Sequence, residues 1–107
     1  MSKNLSGQTI NLSGLIDYQT GSVVSREILK KANGSITLFA FDEGEGLSEH
    51  TAPYDAVAHI LDGEAEIKLS GKNNNLKKGE MIVMPAGEPH SVKSMGKFKM
   101  LLTMIKS

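Results

Sequence analysis

Cysteine and tryptophan are absent from this chain, proline occurs three times, and aromatic residues make up only 5% of the sequence. Without cysteine there is no disulfide, no thiolate metal ligand and no cysteine nucleophile. An excess of charge is missing too: 12 Lys+Arg balance 12 Asp+Glu, for a formal net charge of zero. A nucleic-acid binder needs a basic face to displace phosphate counterions, so the balance argues against that class of partner. The opening residues Met-Ser-Lys-Asn-Leu-Ser-Gly-Gln contain no apolar segment of the kind a secretory leader requires. No apolar run approaches the ~20 residues of a membrane span. The expectation is a cytoplasmic protein without membrane attachment.

What remains is a chain of 107 residues, 39% hydrophobic, which fits one domain with one modest core. Near-zero charge offers little repulsion between copies, which suits self-association. Residues 1–22 are polar and rich in Gly and Ser, and read as an irregular arm with one short strand at most. The domain proper is read as 23–107.

From Val23 onward short strand-like segments recur every eight to twelve residues, separated by glycine turns. Val23–Lys31 taken alone suits a helical turn or a strand, but Asn33-Gly34 is a hairpin signal and favours the strand. Ser35–Phe41 is rich in β-branched and aromatic residues and ends at the acidic glycine turn Asp42–Gly46. Ala56–Leu61 is a short apolar strand stopped by Asp62-Gly63. Glu64–Leu69 alternates, with Ala65, Ile67 and Leu69 facing in. Ser70–Asn73 reads as a turn and Asn73–Asn75 as a loop. Met81–Met84 is nearly all apolar, as for a strand buried on both faces. Phe98–Ile105 reads as the last strand. The spacing predicts an all-β sandwich or barrel. Lys77, Lys78, Lys93, Lys97 and Lys99 read as a solvated strand face.

Two histidines stand out. His90 follows an apolar strand and a rigid Pro85-Ala-Gly87 turn; His50 follows the glycine turn at 42–46. The first serine-hydrolase and dinucleotide signatures one would look for are missing: no G-x-S-x-G elbow, and Gly44-x-Gly46 without a third glycine. The third histidine, His59, falls opposite Ala56, Ala58 and Ile60 and reads as a packing or interface residue.

In these residues the sequence resembles the cupin superfamily of small β-barrels. That family's second motif, G-x5-P-x-G-x2-H-x3-N, appears as Gly79, Pro85, Gly87 and His90, with Ser94 in place of Asn. Its first motif, G-x5-H-x-H-x3,4-E-x6-G, is met by Gly44, His50 and Gly63, with Ala52 in place of the second His and Ala56 in place of Glu. The resemblance spans residues 44–94 and implies a jelly-roll barrel (double-stranded β-helix) of antiparallel strands. It also implies a divalent transition metal inside the barrel. Carried over position by position, only His50 and His90 remain as ligands. Asp55 is the candidate third ligand by identity, completing a two-His, one-carboxylate set, but strand alternation turns it away from the site unless the chain bulges there; Glu49 has the same difficulty, and Tyr54 could reach in with its hydroxyl. The expected ligand pocket comprises Ala52, Tyr54, Ala56, Ser94 and Met100, the last from a methionine-rich C-terminal region that could line an adaptable cavity. Two functions stay open: a metal-dependent cupin acting on a small organic molecule, and a metal-free small-molecule-binding barrel in which the alanines enlarge the cavity. A homodimer is expected, with the N-terminal arm taking part.

Overall fold

The computed structural model describes residues 5–106, so the ends of the expected arm (1–4) and of the domain (107) lie outside the described residues. Nine strands follow in order: β1 (Val23–Lys31), β2 (Gly34–Phe41), β3 (Gly46–His50), β4 (Asp55–Asp62), β5 (Glu64–Leu69), β6 (Lys72–Lys77), β7 (Met81–Met84), β8 (His90–Ser94) and β9 (Phe98–Ile105). They form a five-stranded sheet in the order β1-β2-β9-β4-β7 and a four-stranded sheet in the order β3-β8-β5-β6. Every pairing is antiparallel. The chain crosses repeatedly from one sheet to the other, which is the double-sheet jelly roll that the strand spacing predicts.

The side chains between the sheets fill the barrel unevenly. Phe41 and Phe98 are partners across the β2–β9 register and fully buried, their rings stacked with centroids 4.3 Å apart and 6° between planes. Ile60, Ile67 and Met100 close around them. Toward the other end of β4 and β9 the inward row narrows to Ala58 and Ala56 beside Leu102 and Met104. One end of the barrel is therefore plugged by large side chains, and the other is lined by small and flexible ones.

Three local readings change. Asn73–Asn75 is not a loop: the turn is only Ser70-Gly71, both with positive φ (49° and 83°), and β6 begins at Lys72. Two such residues suit the tight hairpin turn. The asparagines pair with Lys68, Ile67 and Glu66 of β5, so ladder pairing overrides their low strand propensity. β7 is not buried on both faces: Met84 is buried, while Met81 and Val83 are about half exposed. It is an edge strand of the larger sheet. Finally, Lys99 does not lie on a purely solvated face, because its ammonium donates to the Ser13 carbonyl at 2.6 Å.

That last bond belongs to the N-terminal segment. Between residues 5 and 22 the segment forms no strand; Leu12–Leu15 is a 3-10 turn capped by Asn11, whose side chain accepts from Gly14 N–H. The segment lies on the outer face of the larger sheet. Ile16 packs with Leu38 and Ala40, flanked by Leu12, Leu15, Tyr18, Val24, Ile28, Leu61 and Leu101, forming a second apolar cluster outside the barrel. Polar ties hold it there. Tyr18 donates to the Asp62 carboxylate at 2.6 Å, Gly21 N–H donates to Asp42 at 2.6 Å, and the Arg26 guanidinium donates to the Leu15 carbonyl. The Gly21 and Glu43 N–H groups hold the Asp42 carboxyl below its ordinary range, with help from Lys97.

Burial and the Asp62 carboxylate push the Tyr18 phenol well above its ordinary value. A raised value means that the neutral phenol's contribution is complete below the unfolded tyrosine value near 10 and fades as pH rises beyond it. Tyr18→Phe is expected to cost about 1 kcal/mol at neutral pH, the worth of a partly exposed hydrogen bond to a charged acceptor. Urea midpoints of both proteins from pH 7 into the alkaline range check this: the difference should shrink as the wild-type phenol ionises.

Candidate metal and ligand site

Both histidines sit at the open end of the barrel because of where two sheet-to-sheet crossings fall. His50 is the last residue of β3 and precedes the Pro53 bend into β4; His90 is the first residue of β8 and follows the Pro85–Pro89 crossing from β7. They are paired across the β3–β8 ladder, after an irregularity between Leu47 and His50. Such a bulge re-aims the side chain beyond it. The imidazole centroids are 4.3 Å apart at an interplanar angle of 66°. His90 is buried, with 8% of its surface accessible, whereas His50 is exposed.

The two crossings are tied together. Gly87, with φ 81°, donates its N–H to the Ala52 carbonyl at 2.9 Å. Ala86 N–H donates to the Asp55 carboxylate at 2.9 Å. Farther along, Ser70 N–H donates to the Pro89 carbonyl and its hydroxyl to Glu88. Asp55 is thus engaged with the turn that delivers His90. Nothing in a single sequence flags that role, because it depends on two segments 31 residues apart.

The tautomer of each neutral ring follows from its partner. His50 Nδ1 lies 2.7 Å from the Ser48 carbonyl, and His90 Nδ1 lies 3.2 Å from the Glu88 carbonyl. A carbonyl oxygen can only accept, so each Nδ1 is the donor, and in the neutral ring Nε2 is the nitrogen with the lone pair. This is the arrangement of metal-binding imidazoles, whose outward N–H is held by a backbone carbonyl or carboxylate. Two imidazoles sharing one ion at the usual ~2.0–2.1 Å have centroids roughly 4.5–5 Å apart, close to the separation seen. Among the described residues no group of three His, Asp or Glu side chains is placed to hold a metal ion. The donor set therefore fits half of a coordination sphere, with the remaining positions left to water or a ligand.

Of the expected pocket residues, the structure brings Ala52, Tyr54 and Ala56 to the histidine end and leaves two elsewhere. Ala56 faces inward beside Met104 and Met84. Tyr54 lines a cavity of about 400 Å³ with Glu27, Lys30, Ser35, Thr37 and Met104. Lys31 and Lys106 also border it, the Lys106 ammonium 5.9 Å from the Tyr54 ring centroid. By register, Lys30, Ser35, Met104 and Ala56 belong to the open end of the larger sheet. Sequence reasoning passed over Lys30, Lys31 and Lys106, which are far apart in the sequence and meet only through the β1–β2 and β2–β9 pairings. Ser94 lies at the far end of β8, roughly 13 Å from His90 by strand rise. It is buried, and its hydroxyl accepts from Gly44 N–H at 2.6 Å. Met100 is 1% exposed within the packed end, partnered with Phe39 and Ile60.

A double-sheet antiparallel barrel with histidines delivered by its crossings to one open end defines a jelly-roll protein of the cupin class. The cupin domain family matches residues 37–106, and the chain belongs to that family. It is similar to a conserved protein of unknown function from Streptococcus pyogenes, with 32% identity, TM-score 0.92, and coverage of 100% of this chain and 96% of that one. A cupin superfamily protein from Desulfitobacterium hafniense shares 30% identity with TM-score 0.91, over 98% of this chain and 97% of that one. A cupin 2 conserved barrel domain protein from Leptotrichia buccalis is 42% identical with TM-score 0.88; the match covers 91% of this chain but 47% of that one, so this chain spans about half its length. No curated protein matches the chain in sequence. No helix among the described residues is long and apolar enough to cross a membrane.

Proposed function

We propose that this small cupin binds a small organic acid at the open end of its barrel, with a divalent transition metal held by His50 and His90. The observation that carries the reading is the pair of Nδ1–carbonyl hydrogen bonds, which in the neutral rings assigns the ligating lone pair to Nε2. Bound there, the ion would supply Lewis-acid attraction for a carboxylate oxygen. The chain's own contribution is selection: Lys30, Lys31 and Lys106 border the neighbouring cavity and favour an anion, and Tyr54 offers a hydroxyl. Ala52 and Ala56 leave room where larger donors would intrude. No catalytic step is assigned.

A second reading is favoured by the missing third donor: the histidines hydrogen-bond the acid directly, without a metal. Titration calorimetry separates the two, using protein prepared without a polyhistidine tag. Under the first reading Ni²⁺, Zn²⁺ or Mn²⁺ binds at one equivalent, His50→Ala and His90→Ala each weaken it at least roughly tenfold, and oxalate binds only the loaded protein. Oxalate binding that survives chelation supports the second reading. Metal affinity unchanged in both variants overturns the first.

A further inference from the structure

The crossing that delivers His90 is tied down at both ends. On the β7 side, Gly87 N–H and Ala86 N–H donate to the Ala52 carbonyl and the Asp55 carboxylate. On the β8 side the anchor is the hairpin turn between β5 and β6, where Ser70 holds two consecutive residues. Its N–H donates to the Pro89 carbonyl at 2.8 Å, and its hydroxyl donates to the Glu88 carboxylate at 2.8 Å. Those residues lead directly into the histidine. The Glu88 carbonyl accepts from His90 Nδ1, and His90 pairs with Leu69, the residue before Ser70.

Serine is an unfavourable residue for this turn. Among the described residues Ser70 is the one non-glycine residue with positive φ, 49°, and Gly71 completes the turn at 83°. Turns of this kind prefer Asn-Gly or Gly-Gly, because a left-handed backbone strains serine more than it strains asparagine or glycine. The hydroxyl's bond to Glu88 does little to offset that strain, since both residues are exposed and water competes for the bond. Strain without a matching gain in stability is found where a site needs the residue. Here the hydroxyl pins the Glu88 side chain while the Ser70 N–H pins the next carbonyl. Between those two ties the Glu88 peptide has little freedom to turn its carbonyl away from the imidazole.

We propose, on the reading of His90 as a ligand, that Ser70 is a positioning residue of the metal site. By fixing Glu88 and Pro89 it keeps the Glu88 carbonyl on His90 Nδ1, which holds the neutral ring in the tautomer and orientation that present Nε2 to a cation. Ser70 does not touch the ion and acts through its neighbours alone.

Two variants of the full chain separate positioning from support of the fold. Ser70→Ala removes the hydroxyl and keeps the backbone strain; Ser70→Gly removes both. The urea midpoint of Ser70→Gly should lie above that of Ser70→Ala and no lower than the wild type's. Ni²⁺ affinity by calorimetry should nevertheless fall about tenfold in both, the lower end of the loss when an outer partner of a ligand is removed. Glu88→Gln keeps an acceptor oxygen and should bind Ni²⁺ as the wild type does, while Glu88→Ala should match Ser70→Ala. A second readout needs no metal. Ring-nitrogen NMR shifts of His90, taken on the apoprotein at a pH where imidazole is neutral, report which nitrogen carries the hydrogen. The wild type should show Nδ1–H, and both Ser70 variants should move toward Nε2–H. An unchanged tautomer in both variants overturns the proposal, and so does wild-type Ni²⁺ affinity in Ser70→Gly. A wild type that takes up no metal overturns the ligand reading, and the ring shifts still decide whether Ser70 sets the state of His90.

Discussion

Phe98→Ala is expected to cost about 3–5 kcal/mol of stability, the range for emptying a fully buried aromatic site. The ring is stacked at 4.3 Å on Phe41, and both are fully buried at the plugged end of the barrel. Beyond the transfer of apolar surface, the stacked pair itself is worth roughly 0.5–1.5 kcal/mol. The chain has three phenylalanines and no tryptophan, so few other side chains could swing in to fill the hole. A domain of this size has about 5–15 kcal/mol in total, and the variant should be largely unfolded at mild urea concentrations that leave the wild type intact. Phe98→Leu, which keeps much of the volume, should lose less than half as much. Equilibrium unfolding followed by circular dichroism tests both. A Phe98→Ala loss below about 1 kcal/mol would show that the core is not concentrated at this end.

Gly63→Ala should be comparably damaging for a different reason. Gly63 joins β4 to β5 with φ 73°, a conformation that favours glycine. A methyl group there would overlap the Lys97 carbonyl oxygen and stand 3.0 Å from both Cα and Cβ of Phe98. Those atoms are backbone and core, so neither can swing away as the end of an exposed side chain could. Strain from positive φ contributes about 1–2 kcal/mol, and forced displacement of packed backbone about 1–3 kcal/mol more. Gly71→Ala is the matched control: φ is also positive (83°), but no atom stands within 4 Å of the added methyl. Only the conformational part should appear there. Equal losses in the two variants would refute the steric account.

The two glycines also show what the sequence can and cannot convey. Asp62-Gly63 was legible as a turn because the residue types suit positive φ. That the turn presses against Lys97 and Phe98 depends on β4–β9 pairing, which no local pattern encodes. The same division runs through the site. Gly79, Pro85, Gly87 and His90 announce a strand, a turn and a delivered histidine, and His50 could be matched to them by spacing. Asp55 looked like a stray carboxylate beside a ligand position, and only the folded chain puts it on Ala86 N–H. Ser94 and Met100 were assigned to the pocket by motif and composition. Strand rise carries Ser94 away from His90, and register seats Met100 among the large side chains. Asn73–Asn75 failed locally because asparagine favours turns, and became a strand because β5 offered it a ladder.

The uneven filling of the barrel has a consequence for how such a protein can change. The keystones of the fold, Phe41, Phe98 and the Gly63 turn, stand at one end, while His50, Ala52, Tyr54 and Ala56 stand at the other. Mutational drift at the mouth can rewrite donors, volume and charge while the foundation keeps its full packing. With alanines at positions 52 and 56, the mouth of this barrel can accept larger or polar side chains without any renegotiation of its shape.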